Sequence, residues 1–400
     1  MAVRRLEAAA LDALFGALRG RGYTLVGPTL HDGAIVYDEI DGAASLPVGW
    51  TEVEDAGSYR LARRPDAARF GFTVGPHAWK RFLHPAALRL WRAERDGDGG
   101  FELVDEPRDP PRYAFVGVRP CDVAAIAIQD RVFTGGAHVD ADYRARREAA
   151  FVLAVHCTEP GGTCFCASMG TGPQARGGYD LALTELLPDG PADGGEPRYL
   201  IEVGSDVGAA VLADVPTAAT SEADLALAER RLHEAAGRMG RTLETRGLAE
   251  ALTGAFDHPR WDAVAERCLA CGNCTLACPT CFCTTVEDAT DLTGAFAERT
   301  RRWDSCFTLD LSYIHGGPVR PSLSARYRQW ATHKLATWRD QFGTAGCVGC
   351  GRCITWCPAG IDLTEEVTAI AASAQRAPAR PGATAPLRTA KEAGDAAPLR

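Results

Sequence analysis

The stretch CLACGNCTLACPTCFC, residues 268–283, reads C-x-x-C-x-x-C-x-x-x-C-P and then adds two more cysteines. A second run, CVGCGRCITWCP at 347–358, repeats the pattern through its proline. This is the bacterial iron–sulfur run. Where two such runs share a fold, the fourth cysteine of each ligates the cluster of the other. The pattern therefore assigns Cys268, Cys271, Cys274 and Cys357 to one [4Fe–4S] cluster. It assigns Cys347, Cys350, Cys353 and Cys278 to a second. A spacing of two lets three consecutive cysteines wrap one cubane. Small residues such as Gly272 and Gly351 let backbone amides approach its sulfides. The closing proline turns the chain and removes a competing donor. Structural zinc wants four tetrahedral ligands, usually from paired C-x-x-C units, and two runs ending in proline fit that poorly.

Composition bounds the rest. A chain of 400 residues is long for one core, so two or three domains are expected. Apolar and charged fractions of 46% and 24% are those of an ordinary globular protein. A net charge of −9 argues against a nucleic-acid binder. No apolar run reaches the roughly 18 residues of a membrane helix. Arg4-Arg5 could suggest export, but Glu7 and Asp12 interrupt the apolar segment a signal peptide would need. Leu6, Leu11, Leu14, Phe15 and Leu18 instead suit one face of an amphipathic helix. A cytoplasmic protein is the expectation, and there an odd count of 15 clustered cysteines favours metal or cluster ligation over disulfides.

The first half alternates strand-like runs (YTLVGPT, AIVYDEI, YAFVGVR, AAFVLAVHC, RYLIEVGS) with a helix-like segment at 122–133. This predicts an α/β domain with a locally parallel sheet. A loop rich in Pro, Gly and Asp interrupts it at 188–197. The expected class is α+β: an N-terminal α/β domain (1–220), a helical linker (221–257), a mainly helical dicluster ferredoxin-like domain (258–370) and a disordered tail (371–400). Ser221 and Asp224 offer a capping box at the linker's start. The insert between the cysteine runs looks helical at 323–342.

Seven cysteines remain. Cys121 follows the strand YAFVGVR and Cys157 closes AAFVLAVHC. As neighbours in a parallel sheet, these strands would deliver both thiols to its carboxyl edge, where α/β folds bind ligands. The glycine-rich loop carrying Cys164 and Cys166 starts at the same edge and could fold back over it. Four thiols could then hold a third cluster, or serve as small buried hydrophobes. Cys281, Cys283 and Cys306 could bind an additional cluster, share one, or line the protein around the others. No G-x-G-x-x-G follows a strand and opens a helix, so no nucleotide site of that type is indicated. His77, His84, His156 and His333 read as scattered surface or supporting residues. Arg299, Arg301 and Arg302 read as a solvated basic face or a dock for an acidic partner.

With these motifs in hand, the chain resembles the beta subunit of cytoplasmic sulfhydrogenases, the NADP-linked nickel–iron hydrogenases. It is also similar to the electron-transfer subunit of anaerobic sulfite reductase. The resemblance spans roughly Tyr23 to Leu363 and is carried by GPTLHDGAIVYDEI, VGPHAWKRFLHP, GVRPCD, CTEPGGTCFCASMGTGP, CPTCFC, RRWDSC and CVGCGRC. It implies an electron conduit without bond-making chemistry of its own. Such a conduit would sit between a flavin-containing NAD(P)H reductase subunit and the large and small subunits of a nickel–iron hydrogenase. The resemblance carries over the dicluster ligands and supports a third [4Fe–4S] cluster at Cys121, Cys157, Cys164 and Cys166. The presence of GPTLHDGAIVYDEI and VGPHAWK tilts it toward the hydrogenase form. The sulfite reductase form is the alternative, and an iron–sulfur redox sensor a more distant one.

Overall fold

The computed structural model describes residues 3–73, 75–104, 109–188 and 196–374. In chain order its main strands are β1 (Arg4–Glu7), β2 (Thr24–His31), β3 (Ala34–Glu39), β4 (Trp50–Asp55), β5 (Ser58–Arg63), β6 (Ala87–Arg95) and β7 (Phe101–Val104). Then come β8 (Tyr113–Val118), β9 (Phe151–Val155), β10 (Leu181–Leu186), β11 (Arg198–Val203), β12 (Ala218–Ala219), β13 (Thr284–Thr290) and β14 (Phe296–Trp303).

Eight of these form one sheet in the order β12-β1-β11-β10-β9-β8-β2-β3. Its centre, β10-β9-β8-β2, is parallel, and antiparallel strands flank it on both sides. A parallel centre needs cover on both faces, which is why β9 is apolar and buried throughout. On one face the helix Leu11–Arg19 packs Leu11, Leu14, Phe15 and Leu18 against Leu25, Val116 and Leu153. On the other, Ile126 of the helix Pro120–Thr134 and Tyr143 of the helix Ala141–Ala149 meet Phe115, Val152 and Trp79. Leu6 joins the first of these cores from strand β1, not from the helix, because the chain stays extended through Glu7.

The second half is mainly helical around its own core, which includes Trp261, Phe307, Tyr327, Trp330, Ile354 and Val367. Three features depart from the sequence expectation. The segment 221–255 is two helices, Glu222–Gly237 and Leu248–Gly254, with Ser221 capping the first by accepting the Asp224 N–H. The last helix, Leu363–Ala374, runs past the expected start of the tail at 371, while residues 375–400 and most of the 188–197 loop lie outside the described residues. Finally, β13 and β14 form a hairpin that joins β6 and β7 in the order β13-β14-β6-β7. The two halves thus share a sheet. The hairpin strands TTVEDAT and FAERTRRW set Glu287 and Asp288 against arginines, so they show no apolar strand pattern. The basic run is consumed there: Arg299 pairs with Asp288, Arg302 with Glu287 and Arg301 with Asp140.

The cysteine sets at the junction of the two halves

The two runs fold alike locally. Gly272 and Gly351 each take a left-handed conformation (φ 75° and 77°) that opens a one-turn helix, Asn273–Leu276 and Arg352–Thr355. Each turn projects its cysteines to one side. Cys268, Cys271, Cys274 and Cys357 line a single apolar recess walled by Phe307, Tyr327 and Trp330. Burial pushes the Cys274 thiol up, and charge on Cys268, Cys357 and Cys271 pushes it further. Three thiols of the first run and the last of the second thus form one set.

The complementary set also assembles. Burial raises the Cys353 thiol, reinforced by Cys347, Cys350 and Cys278. Cys347 is pushed up to about 12, burial outweighing the nearby Lys334 ammonium. Cys278 moves the other way, its thiolate favoured by a hydrogen bond from Cys281 and by Lys334. Lys334 is 3% exposed and donates from Nζ to Cys278 Sγ at 3.1 Å and to Thr280 Oγ1 at 3.2 Å. It lies in a π-helical turn, His333–Thr337, that interrupts the helical insert. Such turns recur at functional sites because they re-aim one side chain.

The third group converges at the sheet edge. Parallel pairing of β8 with β9 brings the Arg119-Pro120-Cys121 turn beside Cys157. Arg119, buried, anchors this edge through the Phe70 and Phe72 carbonyls and reaches Cys157 Sγ at 3.9 Å. The loop to Cys164 and Cys166 folds back and is pinned by Phe165 N–H on the Gly349 carbonyl at 2.8 Å. Burial is the main cause raising Cys121, Cys164 and Cys166, the last to about 12. Cys121 and Cys166 both feel Cys350 of the second set. The second set therefore lies between the other two: Cys353 also lines the recess of the first, and the Cys350 carbonyl is 4.0 Å from Cys164 Sγ.

Around the second set the halves are locked together. Arg352 and Asp122, both 1% exposed, form a two-pronged ion pair at 2.8 and 2.7 Å. The sequence offered no signal for Lys334, Arg352 or Asp122, since charged residues in helical segments read as solvent-facing. Lys80, buried under the same region, falls in VGPHAWKRFLHP, yet nothing there marks it as interior. Of the histidines, His156 pairs with Thr184 in the sheet and His84 packs between Phe133 and Trp303. His77 meets Arg81, and His333 lines a recess with Cys281, Cys283 and Cys306.

Thiols buried in this number are a costly donor set unless metal compensates the thiolates. Among the described residues no three His, Cys, Asp or Glu close around a single ion. The fold and its donor sets define an iron–sulfur electron-transfer protein. Residues 267–361 match the family model of the 4Fe-4S dicluster domain. Sulfhydrogenase 2 subunit beta of Pyrococcus furiosus is 37% identical over 352 residues, covering 86% of this chain and 90% of that protein. The chain belongs to the sulfhydrogenase beta-subunit family. No solved structure matches it. No described helix is long and apolar enough to cross a membrane.

Proposed function

We propose that this chain is the electron-conducting subunit of a cytoplasmic nickel–iron hydrogenase complex, standing between a flavin NAD(P)H reductase subunit and the hydrogenase large and small subunits. It does no bond-making chemistry itself. Cys268, Cys271, Cys274 and Cys357 hold one [4Fe–4S] cluster; Cys347, Cys350, Cys353 and Cys278 hold another. Cys121, Cys157, Cys164 and Cys166 hold a third. When bound, these clusters supply one-electron exchange.

The chain's own contribution is distance, burial and charge. The observation that carries the reading is the row of three cysteine sets, with the second touching both neighbours. At one end Cys271 is exposed, where a partner can approach. At the other, the third set is buried beneath the sheet edge. Lys334 and Arg352 place positive charge against the middle set, and Phe307, Tyr327 and Trp330 wall the first on its inner side.

Anaerobic purification of the tagged chain from its own cells tests the partnership. Nickel, flavin and a large hydrogenase subunit in the same complex are the expected result. A sirohaem protein in their place would assign the chain to a sulfite reductase.

A further inference from the structure

Cys281, Cys283 and Cys306 belong to none of the three sets, yet all three line one recess. Their positions are fixed from outside it. Thr280 Oγ1 donates to the Gly346 carbonyl at 2.6 Å, and Lys80 Nζ to the Cys281 carbonyl at 3.2 Å. Hairpin register sets the other arm. Thr284 pairs with Trp303, so the chain leaving β14 returns Cys306 to the side of Cys283. The Asp304 N–H donates to the Cys283 carbonyl at 2.9 Å, and the two thiols share a hydrogen bond.

The surroundings call for an anion. Lys80 is 4% exposed; its Nζ donates to the carbonyls of Thr275 and Cys281 and lies 4.1 Å from the Trp303 ring centre. Among the described residues no carboxylate pairs with it. Burial pushes Lys80 toward its neutral form and negative charge on Cys281 and Cys278 opposes this, so a negative group at these thiols would hold its proton. Trp330 and Trp338 line the recess, and among the described residues their buried indole N–H groups have no hydrogen-bond partner. Indole N–H groups can donate to inorganic sulfide as they do to other acceptors.

We infer that Cys281, Cys283 and Cys306 hold a further iron–sulfur cluster of the [4Fe–4S] or [3Fe–4S] type, with Lys80 and Lys334 as its buried counter-charges. Three thiolates complete a [3Fe–4S] centre. In a [4Fe–4S] centre they leave one iron to another ligand, and His333 lines the same recess. This inference rests on reading the chain as an iron–sulfur electron-transfer subunit.

The experiment uses anaerobically purified full-length protein as wild type, Cys306→Ser and Cys271→Ser. It measures iron, acid-labile sulfide and EPR, and maps iodoacetamide labelling of the native wild type by mass spectrometry. Cys306→Ser should lose about three to four irons per chain. It should keep the EPR signal that Cys271→Ser removes. In the native wild type, Cys281, Cys283 and Cys306 should resist alkylation until iron is chelated. Wild-type iron in Cys306→Ser overturns the inference, as does ready labelling of the three thiols in iron-replete wild type. The labelling map decides the matter even where Cys306→Ser fails to fold. Unchanged iron in Cys271→Ser would instead sink the functional reading beneath it.

Discussion

The two cysteine runs share a pattern but not a setting. The first lies near solvent, with Cys271 exposed and Leu269 66% exposed beside it. A Cβ at Gly272 would meet side chains alone at its nearest contacts, Ser305 at 3.3 to 3.4 Å and Thr275 Oγ1 at 3.7 Å. The second is gripped by the N-terminal half. A Cβ at Gly351 would stand 2.6 Å from the Thr163 carbonyl oxygen, and one at Gly349 2.6 Å from that of Phe165. The tip of the β4–β5 hairpin closes over it too, with Gly57 N–H on the Ile354 carbonyl at 3.1 Å. One motif, placed twice, thus sits once near the surface and once in the interior. The difference comes from the α/β domain, not from the motif.

The largest expected effect comes from cutting that grip. Asp122→Ala leaves Arg352 buried without its partner and should destabilise the fold by about 3–5 kcal/mol. Denaturant unfolding of the anaerobic protein measures this. If stability falls by less than about 1 kcal/mol, the ion pair does not join the halves.

Next is the glycine pair. Both positions have positive φ, so alanine costs about 1–2 kcal/mol at either. At Gly351 the clash with Thr163 backbone adds to that, for roughly 2–4 kcal/mol in all. Gly351→Ala should lose iron from the second set, while Gly272→Ala keeps near-normal iron. Equal losses would erase the contrast between the runs.

Lys334→Met removes the ammonium that donates to Cys278 Sγ. A positive charge favours the reduced, more negative cluster, so the potential of the second set should fall by roughly 60–100 mV. The first set should move far less. Redox titration followed by EPR reads both.

The smallest effect concerns pH. Burial, with the neighbouring Glu54 charge, raises Glu52 to about 7. Its folded value lies above its unfolded one, so the native state holds the proton longer. The contribution of Glu52 to stability is greatest below about 4.5 and is lost as pH rises toward about 7. Glu52→Gln should flatten that part of the stability profile, seen in thermal melts across the window. An unchanged slope would remove Glu52 as its source.

What the sequence made legible follows from which residues speak locally. The cysteine spacing pointed to the first set, whose four cysteines line one recess, because cubane ligation is a short-range geometric demand. The strands before Cys121 and Cys157 predicted their meeting because parallel pairing of apolar strands has one outcome at the carboxyl edge. The hairpin β13–β14 was hidden, since strands paired through Arg and Asp or Glu carry no hydrophobic period. Lys80, Lys334 and the Asp122–Arg352 pair were hidden for a related reason. Charged side chains become interior only through partners distant in sequence, and for Lys334 the partner is a cysteine, not a carboxylate.

The central claim is the exchange of fourth cysteines between the runs, and EPR of four serine variants tests it most directly. Cys357→Ser should alter the same signal as Cys271→Ser, and Cys278→Ser the same signal as Cys350→Ser. If Cys357→Ser instead alters the signal that Cys350→Ser alters, each run holds its own cluster and the exchanged arrangement is wrong.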